Sequence, residues 1–132
     1  MIDDNAINLA RFRIEQAHEC LNAAEVNIKV SLKTTVNRSY YCVFHAMRAV
    51  LSLDNFDSKK HSGVISEFRK RYIKTGIFPK HFSTTIKESF QSRGDSDYED
   101  FYVVVESEAR EQIDNAKEFL EAVEKHILGR VC

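Results

Sequence analysis

Four polar side chains that could bind a phosphate and move a proton recur along one apolar stretch, "NRSYYCVFHAMRAV", residues 37 to 50. They are Arg38, Tyr41, His45 and Arg48. At about 100° per residue of an α-helix, they fall within about 80° of arc. Arginine offers phosphate a fixed bidentate cation, and an imidazole exchanges protons near neutral pH. The stripe indicates a site for a phosphate-bearing ligand, and the alternative is an ordinary solvated helix face.

The opposite side of the same helix is apolar and is predicted to face the core. Its members are Val36, Tyr40, Val43, Phe44, Met47, Val50 and Leu51. Three small residues, Cys42, Ala46 and Ala49, flank the polar stripe, and we expect them to let a large partner come close. Together with the tyrosines and arginines of the stripe, they predict a twofold homodimer. Its axis should pass near this helix or near Arg93.

The elements that must position the stripe follow from apolar spacing. Seams in steps of four and three run over residues 10–28 and 109–127. Between them we predict helices over about 33–53, about 61–75 with Gly76 as terminator, and from Pro79 to about 92. Residues 93–101 are predicted to form a turn and 101–105 a buried extended linker, with Ser107 capping the last helix. The fold prediction is a single all-α domain over residues 1–132, a bundle of four to five helices.

Composition limits the class of protein. Nineteen Lys and Arg against 20 Asp and Glu give a net charge of −1, so any contact with RNA must be a local patch. No signal peptide and no membrane-spanning run are predicted. The three cysteines show no C-x-x-C spacing, which predicts no disulfide framework, no zinc site and a cytoplasmic location. We expect no cofactor.

A second charged motif, "RGDSDYEDF", occupies residues 93 to 101. We predict that Arg93 pairs with Asp97 and that Tyr98 packs against the bundle, so that both fix the turn. Asp95 and Asp97 resemble the metal pair of nucleotidyltransferases, but the Gly-Ser loop that such enzymes need is absent. A solvated acidic turn is the favoured interpretation, and no metal site is predicted.

The third helical segment is locally basic. Its cations are Lys59, Lys60, Arg69, Lys70 and Arg71. They could contact RNA phosphates, although a solvated helix face explains them equally well. His61, at the start of this segment, is predicted to be structural or exposed.

Four segments, taken in their order along the chain, resemble the HEPN domain. They are "NRSYYCVFHAMRAVL", "KKHSGVISEF", "RGDSDYEDF" and "SEAREQIDNAKEFLEAV". The likeness is strongest to small standalone prokaryotic HEPN proteins, which are often encoded beside a minimal nucleotidyltransferase. It implies an antiparallel four-to-five-helix bundle that forms twofold dimers. Many members are metal-independent endoribonucleases, frequently the toxin of a toxin–antitoxin pair. In these, an Arg-x4–6-His motif from both subunits lines a cleft at the dimer axis.

The resemblance implies roles for particular residues. Arg38 and His45, with six residues between them, satisfy the motif's spacing. His45 would then be general acid or base while the RNA 2′-hydroxyl attacks the adjacent phosphate, and Arg38 would stabilise the extra negative charge. Tyr41 and Arg48 would assist. Catalytic members carry the motif later in the chain, where this sequence has Arg93 but no histidine. In some nucleotidyltransferase-paired relatives, a tyrosine of that region accepts nucleotides.

Three functions therefore stay open. The first is a ribonuclease or toxin component that uses Arg38 and His45. The second is a non-catalytic module that partners a nucleotidyltransferase and binds a nucleotide or RNA through the same stripe, with Arg93 and Tyr98 as further binding residues. The third is a purely structural interaction protein. Whether the chain is an enzyme is left open by the sequence.

Overall fold

A computed structural model describes residues 2–132 of the chain. This part of the chain holds five α-helices, and a short π-helical segment, Arg69–Ile73, follows the third. The helices are α1 (Asp4–Val26), α2 (Leu32–Ser52), α3 (His61–Phe68), α4 (His81–Tyr98) and α5 (Glu106–Val131). No strand occurs within residues 2–132. The predicted all-α class is confirmed.

Helix α2 is central, because it packs against α1, α3, α4 and α5. All seven residues of its predicted apolar face are buried. Helix α1 can approach closely because Ala10, Ala17 and Ala24 of its seam have no exposed surface. Across that contact the Thr35 hydroxyl donates a hydrogen bond to the carbonyl oxygen of Ala24 at 2.9 Å. The polar stripe of α2 is thereby fixed to a rigid, well-packed helix.

The small residues beside the stripe pack inside the chain, whereas they were predicted to make room for a partner. Cys42, Ala46 and Ala49 are fully buried within the chain itself. The Cys42 Sγ lies 4.0 Å from the carbonyl oxygen of Ala116 on α5. These residues admit the chain's own neighbouring helices, so the expectation that they make room for a partner was wrong.

The region predicted as a turn after residue 92 is helical instead. Helix α4 continues to Tyr98, and the N–H of Glu99 still bonds the Asp95 carbonyl oxygen at 3.0 Å. A mid-helix glycine costs only about 1 kcal/mol, and packing against α2 overrides it at Gly94. The longer helix carries Arg93 alongside α2.

Other boundaries also differ from the predictions. Helix α4 begins at His81, two residues after Pro79. Helix α5 begins at Glu106, so that Ser107 lies within its first turn and does not cap it. Helix α3 stops at Phe68, although Gly76 ends the whole segment in the left-handed conformation, with φ of 81°.

The linker over residues 101–105 is neither helix nor strand, and it is mostly exposed, so the prediction that it is buried was wrong. Val104 is buried, whereas Phe101 is 97% exposed and Val103 75%. Within residues 2–132, no helix has the length and apolarity that crossing a membrane requires.

Candidate functional site

Two arginines from different helices converge on the aromatic side chains of α2. The Arg38 Cζ lies 5.0 Å from the centroid of the Tyr41 ring. The Arg93 Cζ, from α4, lies 5.9 Å from that same ring and 4.8 Å from the Tyr40 ring. Arg38 and Arg93, which belong to separate motifs in the sequence, thus share one surface. We call the surface formed by Arg38, Tyr41, His45, Arg48 and Arg93 the arginine–aromatic patch.

The two converging guanidinium groups are only weakly paired with acids. Arg38 donates from Nε and Nη2 to the Asn37 Oδ1, at 2.9 and 2.6 Å, and within residues 2–132 it forms no salt bridge. Arg93 pairs with Asp97, as predicted, but the Nη1 to Oδ2 distance is 3.9 Å. The buried Nε of Arg93 has no hydrogen-bond partner within the described chain. Neither cation is held in a close ion pair by an acid within residues 2–132, so either could pair with an anionic ligand.

His45 also lies beside Tyr41. The ring centroids of His45 and Tyr41 are 6.1 Å apart, and the buried Nδ1 of His45 has no partner within residues 2–132. Burial lowers the pKa of His45 to about 4, and the nearby Arg48 and Arg38 add to the shift. The imidazole is neutral at pH 7 and can accept a proton. A bound anion would offset the arginines and raise this pKa.

Arg48 stands at the edge of the patch and shares an acid with α1. Its Nη2 lies 3.3 Å from the Oδ1 of Asp57, and the buried Arg13 reaches the Oδ2 of the same carboxylate at 3.1 Å. Burial works against ionisation of Asp57, yet the Ser58 N–H, Arg13 and Arg48 together hold its pKa below the usual value. Arg48 is thus partly neutralised, in contrast to Arg38.

Two further residues of the site, His61 and Phe90, come from other helices and were not predicted to join it. The His61 Nδ1 lies 2.7 Å from the Tyr40 hydroxyl, and its ring stacks on Phe44 with centroids 4.1 Å apart. Burial, then Arg93 and Arg48, lower the pKa of His61. Phe90 of α4, 42% exposed, lies edge-on to the Tyr40 ring. Neither shares the periodicity of α2, so only the packing of α3 and α4 reveals them.

Tyr98 does not join the patch. Its side chain is 76% exposed at the end of α4, so the prediction that it packs against the bundle was wrong. It lines a shallow surface depression with residues 99–102. The adjacent acids hold no metal-like arrangement, since within residues 2–132 no three His, Cys, Asp or Glu side chains are grouped to bind an ion.

A second arginine cluster lies where α2 ends. Arg130 of α5 donates to the Tyr72 hydroxyl at 2.7 Å and to the Asp54 Oδ1 at 3.0 Å, and Tyr72 donates to the Asp54 Oδ2 at 2.5 Å. Arg71 lies 3.9 Å from Asp54 and bonds Glu67 at 2.7 Å. We call Asp54, Tyr72, Arg71 and Arg130 the Asp54 clamp. Each of its cations faces a carboxylate, which suits a structural role.

Comparison with known proteins agrees with this bundle. The HEPN domain model matches residues 10–126, and the chain therefore belongs to the HEPN family. This confirms the identification drawn from the order of the motifs.

Three relatives match along most of their length. A protein of Thermotoga maritima, named UPF0332 protein, is 34% identical over 113 residues, 85% of this chain and 86% of the relative. Two proteins of Methanocaldococcus jannaschii bear the name "putative toxin". One is 33% identical over 113 residues, 85% of this chain and 84% of its own. The other is 30% identical over 119 residues, 89% of this chain and 80% of its own.

Proposed function

We propose that this HEPN protein has a toxin-like role as a metal-independent endoribonuclease, with Arg38 and His45 as its catalytic pair. The observation that carries the proposal is the convergence of Arg38 and Arg93 on Tyr41, next to a neutral imidazole. The names of the two Methanocaldococcus relatives support the toxin-like role.

The attack on phosphorus would need only groups that the patch and the RNA contain. Arg38 and Arg93 bind one phosphate of the strand, with Tyr41 beneath it. The ribose 2′-hydroxyl attacks that phosphorus while the neutral His45 takes its proton. The arginines stabilise the extra negative charge as the bond to the 5′ oxygen breaks. The products are a 2′,3′-cyclic phosphate and a 5′-hydroxyl end, whose oxygen needs a proton from a second donor.

A twofold homodimer would supply that donor. Arg38 and His45 are seven residues apart, about 10 Å along the helix axis. One copy of the helix therefore cannot easily aim both side chains at the same phosphate. In a cleft between two copies, the His45 of the second copy would give the leaving oxygen its proton, once the bound phosphate offsets the arginines and raises the pKa of that imidazole. The resemblance to standalone HEPN proteins adds a minimal nucleotidyltransferase as a further proposed partner. A species of only 15.3 kDa in solution would remove the dimer from this scheme.

The test is cleavage of single-stranded RNA by the purified protein in the presence of a chelator. We expect His45→Ala and Arg38→Ala each to lower the rate by a factor on the order of 10² to 10⁴. Arg38→Lys should recover little, because lysine lacks the bidentate fork. Arg110→Ala removes an exposed cation of α5, paired with Glu106, and should leave the rate unchanged.

A non-catalytic RNA- or nucleotide-binding module is the second candidate. It is favoured by the buried, unpartnered Nδ1 of His45 and by a pKa of about 4, which leaves little imidazolium at neutral pH. If the protein is such a module, it should bind RNA without cleaving it, and Arg38→Ala should weaken that binding. If wild type and His45→Ala both bind RNA and leave it intact, the enzyme assignment fails and this candidate remains.

A further inference from the structure

A pocket between α3 and α4 opens beside the arginine–aromatic patch. Its volume is about 310 Å³, close to the lower size of clefts that hold small ligands. Its apolar surface comes from Ile65, Ile86 and the half-exposed ring of Phe90. The pocket therefore has room and apolar surface for one flat heterocycle.

Phe90 joins this pocket to the patch. The Arg93 Cζ lies 5.5 Å from the centroid of the Phe90 ring, and the rings of Phe90 and Tyr40 are 5.7 Å apart. Ser62, next to His61, lies on the pocket's lining. A ligand seated against Phe90 would thus be adjacent to the guanidinium group proposed to hold phosphate.

The charged groups of the pocket favour an anionic strand. Arg69 and Lys87 line it, and its lining includes no acid. Arg69 donates to the Ser83 carbonyl oxygen at 3.2 Å, but its buried Nε has no partner within residues 2–132. Arg69 also opens the π-helical segment, a rare geometry that is frequent at functional sites.

Polar side chains of the lining can read the edge of a heterocycle. Ser66 offers a hydroxyl and Gln91 an amide, so both a donor and an acceptor are available to a base edge. Proteins bind unpaired RNA bases by stacking them on aromatic rings and hydrogen-bonding their edges. The pocket combines both features within reach of the patch.

We propose that this pocket binds one unpaired nucleobase of a single-stranded RNA whose neighbouring phosphate lies on Arg93 and Arg38. The proposal rests on the proposed action on RNA and adds to it a binding site for one base, which only an unpaired base can enter. A duplex keeps its bases stacked and paired, so it cannot place one in the pocket.

The test compares two synthetic strands by fluorescence anisotropy, both 2′-O-methylated so that no cleavage intervenes. One strand carries all its bases, and the other has the same length and charge with abasic sugars. Phe90→Ala should weaken binding of the intact strand about tenfold and leave the abasic strand unchanged, because only stacking is lost. Arg93→Ala should weaken both strands. Phe12→Ala, which removes an exposed ring of α1, is the matched control and should change neither.

Two results would overturn the base pocket alone. One is that Phe90→Ala weakens both strands equally or neither, while wild type still binds RNA. The other is that Phe90→Ala changes the mass of the protein in solution, which would assign the pocket to contact with a second copy. If wild type binds neither strand, the proposed action on RNA fails, and the base pocket fails with it.

Discussion

The arginine–aromatic patch and the Asp54 clamp differ in what faces their guanidinium groups. In the Asp54 clamp, Arg130 meets a carboxylate at 3.0 Å and a tyrosine hydroxyl at 2.7 Å. In the arginine–aromatic patch, Arg38 and Arg93 lie over tyrosine rings. Within residues 2–132, Asp97 alone forms a salt bridge with either of them, at 3.9 Å from Arg93. Cation–π contact holds a guanidinium in place by about 0.5–2 kcal/mol without using its hydrogen-bond donors.

This difference separates stability from ligand binding. A carboxylate that accepts from arginine satisfies the cation and fixes two elements, as Asp54 fixes α5 to the end of α2. An aromatic face orients the cation but leaves its N–H groups for an anion. The clamp should therefore matter for folding and the patch for RNA, and each prediction below tests one side of this division.

The largest stability effect is expected at the clamp. Asp54→Ala removes the acceptor of both Arg130 and Tyr72, so the free energy of unfolding should fall by about 2–4 kcal/mol. Urea denaturation measures it. Glu124→Ala, which removes an exposed carboxylate paired with His18, is the control and should cost less than about 1 kcal/mol. Equal losses in the two variants would contradict a structural role for the clamp.

At the patch, Arg93→Ala should lower the free energy of unfolding by about 1–3 kcal/mol, through lost contact with Tyr40 and Phe90. Arg38→Ala should cost less, about 0.5 kcal/mol, because its donors go to the adjacent Asn37. Thermal or urea melts of both variants decide this. A melt unchanged by Arg93→Ala would mean that the ring contacts contribute nothing to folding.

The free energy of unfolding should also fall as the pH is lowered, because of the shifted pKa of His45. The unfolded chain takes up this proton near pH 6.5, the folded chain only near 4. Between those values the unfolded state holds more protons, so acidification favours unfolding. The pKa values of His61 and His126 are lowered as well, so these residues also make stability depend on pH. The contribution of His45 is therefore measured as the difference in pH dependence between wild type and His45→Gln. We expect the loss from pH 7 to 4 to shrink by about 2–3 kcal/mol in the variant. Parallel curves would show that His45 has an ordinary pKa.

The sequence predicts the core and the identity of the helices well, because apolar spacing has only one solution on a regular helix. The buried face of α2 is correct at all seven positions. Prediction from the sequence fails where local signals, such as a glycine, oppose the packing of the helices. Gly94 and the acids around it indicate a turn, but contact with α2 keeps that segment helical.

The site is predictable only within α2. Periodicity places Arg38, Tyr41 and His45 on one face, but it cannot say which residues of other helices meet them. Arg93, His61 and Phe90 reach the site because α3 and α4 pack against α2. No spacing along the sequence indicates that packing. The small residues of α2 were misjudged for the same reason, since a partner and a neighbouring helix have the same sequence signature.

The most direct test of the division between patch and clamp is the salt dependence of RNA binding. For single strands, each phosphate contact contributes about 0.7 to the slope of log affinity against log salt concentration. Using an uncleavable 2′-O-methylated strand, we expect Arg38→Ala and Arg93→Ala each to reduce that slope by about 0.7. Arg71→Ala removes an equal charge from the clamp, at an exposed position, and should leave the slope unchanged. A reduced slope in Arg71→Ala, or an unchanged one in both patch variants, would contradict the account.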